Sequence, residues 1–118
     1  MTGRKQFGGI FTIAHNNDVQ ATVLDDKVSR KVLLHRDSMM LVEFRFQKGG
    51  IGQFHSHEEH EQIGYIAKGI FEVTVGDEKK VLSVGDSYYA GKNEMHGVVA
   101  LEAGILVDTF TPIREDFL

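Results

Sequence analysis

Gly49-Gly50-Ile51-Gly52-Gln53-Phe54-His55-Ser56-His57 is the stretch that decides the fold. Side chains alternate along an extended chain, so two histidines separated by one residue send their imidazoles to the same side. The glycines before them let the backbone turn tightly into that strand. With Gln62 a few residues on and His96 much later, a distant strand would bring in a third imidazole and a side-chain oxygen would complete the set. Three nitrogens and one oxygen are a donor set suited to a divalent metal. A metal site inside a small β-barrel is the expectation.

The spacing carries a resemblance. Gly49, five residues, His55-x-His57, four residues, Gln62, six residues and Gly69 resembles the first motif of the cupin superfamily. Gly85, five residues, Gly91 and then Glu94-Met95-His96 resembles the second, after an intermotif spacer of fifteen residues. Gln62 stands where most cupins carry a glutamate, and Gly91 and Asn93 stand where proline and glycine are usual. The resemblance implies an all-β cupin domain, a double-stranded β-helix or jelly-roll barrel. It also implies one divalent ion (nickel, zinc, manganese or iron) held by His55, His57, Gln62 and His96. His15, His35 and His60 fall outside the motifs and read as structural or solvated.

The fourth donor rests on strand parity. Glu61 and Gln62 are adjacent, so only one can face inward from a regular strand. The six-residue interval to Gly69 favours Gln62, while Glu61 fits a shorter variant of the motif. Ile63, Tyr65 and Ile66 put apolar groups on both faces, so the pattern leaves both candidates standing, with Gln62 preferred. Three imidazoles and an amide are all neutral and leave the ion its full charge. That favours Lewis-acid chemistry over redox chemistry. The bland alternative, a metal-free fold keeping the histidines as packing, would bury imidazole nitrogens with no compensating bond.

A length of 118 residues suits one domain spanning 1–118, with residues 1–18 as an arm crossing the barrel or pairing with a second subunit in a homodimer. A formal charge of −4 offers no basic field for nucleic acid or an anionic membrane. The absence of cysteine excludes disulfides and thiolate ligands. No apolar run marks a signal peptide or a bilayer span, so a cytoplasmic location is the default expectation.

Short apolar runs between glycines read as strands. They cover Val19 to Leu24, Val28 to His35, Phe71 to Val75, Lys79 to Ser83, Ser87 to Ala90, His96 to Leu101 and Gly104 to Phe110. Met40, Val42, Phe44 and Phe46 alternate with Leu41, Glu43 and Arg45, the period-two signature of a strand with one buried face. Gly76-Asp77 suits a hairpin turn. No amphipathic helix of ~10 residues or more is present.

The ending Val107-Asp108-Thr109-Phe110-Thr111-Pro112-Ile113-Arg114-Glu115-Asp116-Phe117-Leu118 is the second informative segment. Asp108 and Phe110 share a strand face, Pro112 stops the strand, and Arg114 is placed to fold back over the barrel mouth. Taken alone, these read as a strand-end carboxylate, a core ring and a surface cation. Joined to a glutamine-bearing first motif, the ending is similar to that of small cupins of the KdgF type, as is the run Arg30-Lys31-Val32-Leu33. That resemblance implies opening of 4,5-unsaturated uronate monosaccharides to the linear ketouronate. It makes Asp108, Phe110 and Arg114 the working residues and a small anionic sugar the partner. The competing expectations are another cupin enzyme (a dioxygenase or isomerase) and a non-catalytic sugar- or metabolite-binding module, because one barrel hosts many functions.

Overall fold

Ten strands follow one another in two antiparallel sheets in the computed structural model, which describes residues 12–118. They are β1 (Thr22–Val23), β2 (Val28–His35), β3 (Met40–Phe46), β4 (Ile51–His55), β5 (Glu61–Lys68), β6 (Phe71–Val75), β7 (Glu78–Leu82), β8 (Ser87–Ala90), β9 (His96–Ala100) and β10 (Gly104–Thr111). One sheet has the order β1-β2-β3-β10-β5-β8 and the other β4-β9-β6-β7. Facing antiparallel sheets with these crossings make the expected jelly roll.

Most strands lie where the sequence pattern places them. Gly76-Asp77 forms the two-residue turn between β6 and β7, with Gly76 at φ 59°. The first strand is shorter than expected. Only Thr22 and Val23 pair with β2, because a 3₁₀ turn at Asn16–Asp18 turns the chain away and Val19 donates back to Asn16. Residues 12–18 of the expected arm lie against the six-stranded sheet, where Asn16 donates to Glu43 (2.9 Å) and accepts from Lys31 (2.8 Å). The rest of that arm, residues 1–11, lies outside the described residues. Asn93, standing where glycine is usual, adopts φ 63°, a left-handed conformation that asparagine tolerates better than most side chains.

The interior has two apolar clusters. One joins Val28, Phe46, Ile66, Phe71, Val98 and Leu106 with neighbours, and the other is built on Met40, Val42 and Phe110. Buried polar groups share the inner face with them. Along β10 the inward residues run Leu106, Asp108, Phe110, and along β5 they run Gln62, Gly64, Ile66. Apolar burial of this kind provides the stability that lets a few polar groups be held out of water.

Candidate metal centre and acid pocket

Antiparallel pairing of β4 with β9 sets His55 directly opposite His96, and His57 follows two residues after β4 ends. Their ring centroids lie 4.5 Å (His55–His96), 4.6 Å (His55–His57) and 5.3 Å (His57–His96) apart. One ligand nitrogen from each fits within 4.8 Å of the other two. Two paired strands and the loop after β4 thus bring together the three histidines singled out by spacing.

Backbone carbonyls set two of the tautomers. His96 Nδ1 donates to the Glu94 carbonyl (2.9 Å) and His55 Nδ1 to the Gln53 carbonyl. Each Nε2 is thereby left as a lone pair facing the cluster, a common device for orienting metal-binding imidazoles. His57 Nε2 accepts from Arg114 Nη1 (3.2 Å), yet lies 3.1 Å from His55 Nε2. Two lone pairs at that distance repel, and a cation satisfies both.

Burial, followed by the Arg114 charge and the neighbouring histidines, pulls the pKa of His57 down to about 4. That of His96 is lowered as well, chiefly by burial. Neutral imidazoles are what a metal requires.

Gln62 and Glu61 are distinguished by the fold. Gln62 is 5% exposed and faces inward, while Glu61 turns outward and accepts from the Tyr89 hydroxyl (3.0 Å). Among the described residues, the buried side-chain polar atoms without a partner are Gln62 Oε1 and His96 Nε2. Buried orphans are costly. These two are an oxygen and a nitrogen lining one cavity, and a cation between them would satisfy both. The residues present fit a divalent ion.

That cavity, about 380 Å³, is lined by His55, Gln62, His96, Asp108, Phe110 and Arg114 among others. Asp108 is 4% exposed and burial raises its pKa to about 7, although hydrogen bonds from Tyr88 and Gln62 and the Arg114 charge pull the other way. Tyr88 Oη donates to Asp108 Oδ1 (2.9 Å), and Gln62 Nε2 donates to the Tyr88 hydroxyl (3.4 Å). Tyr88 titrates well above its usual range, owing to burial and then to Asp108.

Arg114 is held by Asp116, with Nε on Oδ1 (2.9 Å) and Nη2 on Oδ2 (2.7 Å), and lies over the rings of Phe117 (4.2 Å) and Phe110 (5.3 Å). His60 makes a structural contact. It bonds the Ile113 carbonyl (2.9 Å) and so ties down the segment that carries Arg114.

Tyr88 was not singled out by sequence reasoning, and the signal for it was Gly64. Asp108 and Tyr88 are the two cross-strand partners of Gly64, one on each side. A β-carbon there would sit 2.2 Å from the Tyr88 ring and 2.7 Å from Asp108 Oδ1. Only glycine lets the tyrosine reach across β5 to the acid. Gly64→Ala is therefore expected to destabilise the protein by about 1–3 kcal/mol through overpacking. Urea denaturation midpoints would check this, and an unchanged midpoint would contradict it.

Comparison with known proteins agrees with this architecture. Residues 42–108 match the Cupin domain family. The chain is 52% identical over 96 residues to the pectin degradation protein KdgF of Dickeya dadantii (strain 3937), covering 80% of this chain and 87% of that protein. The structure of KdgF from Halomonas sp. superposes with a TM-score of 0.88 at 38% identity, covering 92% of this chain and 99% of that one. An RmlC-like cupin from Shewanella frigidimarina also superposes at 0.88, with 34% identity and 92% and 96% coverage. No helix among the described residues is long and apolar enough to cross a membrane. With an inner histidine triad, a cupin topology and this degree of identity, the chain belongs to the cupin superfamily and, within it, to the KdgF family of small cupins.

Proposed function

We propose that this protein acts in pectin degradation by opening 4,5-unsaturated uronate monosaccharides to the linear ketouronate. One observation carries the reading. Asp108, Phe110 and Arg114, drawn from the end of β10 and the segment after it, line the same cavity as His55, Gln62 and His96. A binding module has no need of a buried acid there, and a proton donor remote from the histidines would have spoken against catalysis.

The substrate is a cyclic enol ether bearing a carboxylate. Opening requires a proton on C4, water on C5 and collapse to a ketone. Asp108 has a pKa of about 7, so near neutrality it is partly protonated and suited to hand that proton to C4. The neighbouring Tyr88 hydroxyl holds the carboxyl in one orientation. Arg114 supplies a planar cation for the substrate carboxylate, and Phe110 offers a ring face for the apolar side of the sugar. His55, His57, Gln62 and His96 would hold the divalent ion, which when bound supplies Lewis-acid polarisation and a site for a water or hydroxyl oxygen. Asp116 takes Nε and Nη2 of Arg114, so Nη1, which donates to His57 Nε2, is the N–H left for an incoming anion. A cavity of about 380 Å³ is in the range that holds small ligands.

The test follows the ultraviolet absorbance of 4,5-unsaturated galacturonate with metal-loaded protein against the spontaneous reaction. Faster loss of absorbance is the expected result, and a trace matching the uncatalysed rate would overturn the reading. In solution the protein is a homodimer in this reading. An exposed apolar group on the outer face of the large sheet, where Ile63 pairs with Tyr89 next to Tyr65, supports self-association. Light scattering should give twice the chain mass, and a monomer mass would dismiss it.

A further inference from the structure

Arg30 occupies a position that the reading above leaves unused. It lies on β2 between Val28 and Val32, which pack into the two apolar clusters, and strand alternation puts all three on the inner face. Its cross-strand partners are Thr22 on β1 and Phe44 on β3, and Phe44 is also packed against both clusters. A half-buried arginine on the inward side of a strand requires an explanation. Its guanidinium lies 3.9 Å over the Phe117 ring, the same ring that Arg114 covers at 4.2 Å.

Two cations share one ring, and both oxygens of Asp116 are taken by Arg114. Arg30 makes no side-chain hydrogen bond or ion pair to any described residue. A guanidinium stacked by its face on a ring keeps its in-plane N–H groups pointing outward, ready for a planar anion. Its pKa is lowered, first by burial and also by Arg114, while Asp116 opposes this. An added negative charge would offset that repulsion.

We propose that Arg30, beside the Phe117 ring that lines the cavity, is a second anion-binding residue, forming with Arg114 a two-guanidinium seat that receives the carboxylate of a hexuronate. This rests on the uronate reading above and extends it. Arg114 is tied to Asp116, whereas Arg30 has its donors free among the described residues. The seat discriminates uronic acids from neutral sugars of the same ring, in a chain whose formal charge of −4 would otherwise repel an anion.

The competing view makes Arg30 a clasp for the C-terminal segment through Phe117. Calorimetric titration of the full-length, metal-loaded protein with D-galacturonate and with D-galactose separates the two. Wild type is expected to bind galacturonate at least ~10-fold more tightly than galactose. Arg30→Gln should weaken galacturonate by about 10-fold or more and leave galactose unchanged, as loss of a charge-assisted fork predicts. Arg30→Lys, which keeps the charge and the aliphatic stem, should fall between them and guards against a glutamine variant that folds poorly.

Equal loss for both sugars, unaltered galacturonate affinity in Arg30→Gln, or no binding by wild type would each overturn the seat. The absorbance assay distinguishes its failure from that of the ring-opening reading. Wild-type turnover with an unchanged KM in Arg30→Gln removes the seat and keeps the reaction. Galacturonate binding that depends on Arg30, without turnover, keeps the seat and removes the reaction.

Discussion

Asp108→Asn is expected to lower kcat for ring opening by about 10²–10⁴-fold, the usual worth of a positioned general acid, while leaving metal content unchanged. Asparagine keeps the shape and can still accept from Tyr88, but it has no proton to give. A variant with wild-type kcat would remove Asp108 from the chemistry. The same substitution is expected to stabilise the metal-free protein near neutrality.

The folded Asp108 carboxyl titrates at about 7 against an ordinary value of 3.8. Between those two values the folded state keeps a proton that the unfolded chain releases. Stability therefore falls as pH rises through the window, by about 4 kcal/mol at most. His57 works in the opposite direction. Its folded pKa of about 4 lies below the ordinary 6.5, so the unfolded chain binds more protons there and stability rises with pH. In wild type the two slopes oppose each other between about pH 4 and 6.5. Denaturation of Asp108→Asn across that range should reveal the rising limb alone. A falling limb in the variant would show that another group is responsible. Low intrinsic stability where the acid is most useful is the familiar cost of an active site.

His96→Ala is the second large effect. It removes the buried Nε2 and the imidazole fixed opposite His55. The purified variant is expected to carry less than about a tenth of the wild-type metal, since losing a donor costs at least as much as losing a donor's support. Its uronate turnover should fall to the spontaneous rate. Chelation of wild type should have the same consequence, reversed on adding the ion back. A ligand present at about a hundred times its Kd stabilises the folded state by about 2.7 kcal/mol. For a chain of this size that is a melting shift of roughly 10 °C, and His96→Ala should show none. A full metal complement in the variant would disprove the donor assignment.

Local patterns made most of this legible in the chain. Period-two alternation located β3 and β6, and two short glycine and histidine motifs located the triad, because each pattern runs over neighbours a few residues apart even though the second motif lies far along the chain. The choice between Glu61 and Gln62 was legible only in part, since the interval to Gly69 favoured Gln62 but strand parity did not decide it. Apolar residues on both sides of β5 hide its parity, and only pairing with β10 and β8 shows which side is interior. Val19 to Ala21 reads as the start of a strand but pairs with nothing in β2, since the turn at Asn16–Asp18 takes its place. Arg30 and Tyr88 escaped for a related reason. Their roles come from cross-strand register, which joins positions 14 and 24 residues apart (Arg30 to Phe44, Gly64 to Tyr88). Nothing in the intervening sequence announces those pairings.

The missing β-carbon at Gly64 also links the histories of three strands. A descendant that acquired even alanine there would have to shed the Tyr88 ring or displace the Asp108 carboxyl, so positions 64, 88 and 108 should change as a group. A small cupin with a bulky residue at the first of these positions is then poor ground for a tyrosine-held acid, whatever its histidines suggest. That triplet, more than the metal motif shared across the fold, is what would separate proton-donating members from the rest when new chains of this shape are sorted.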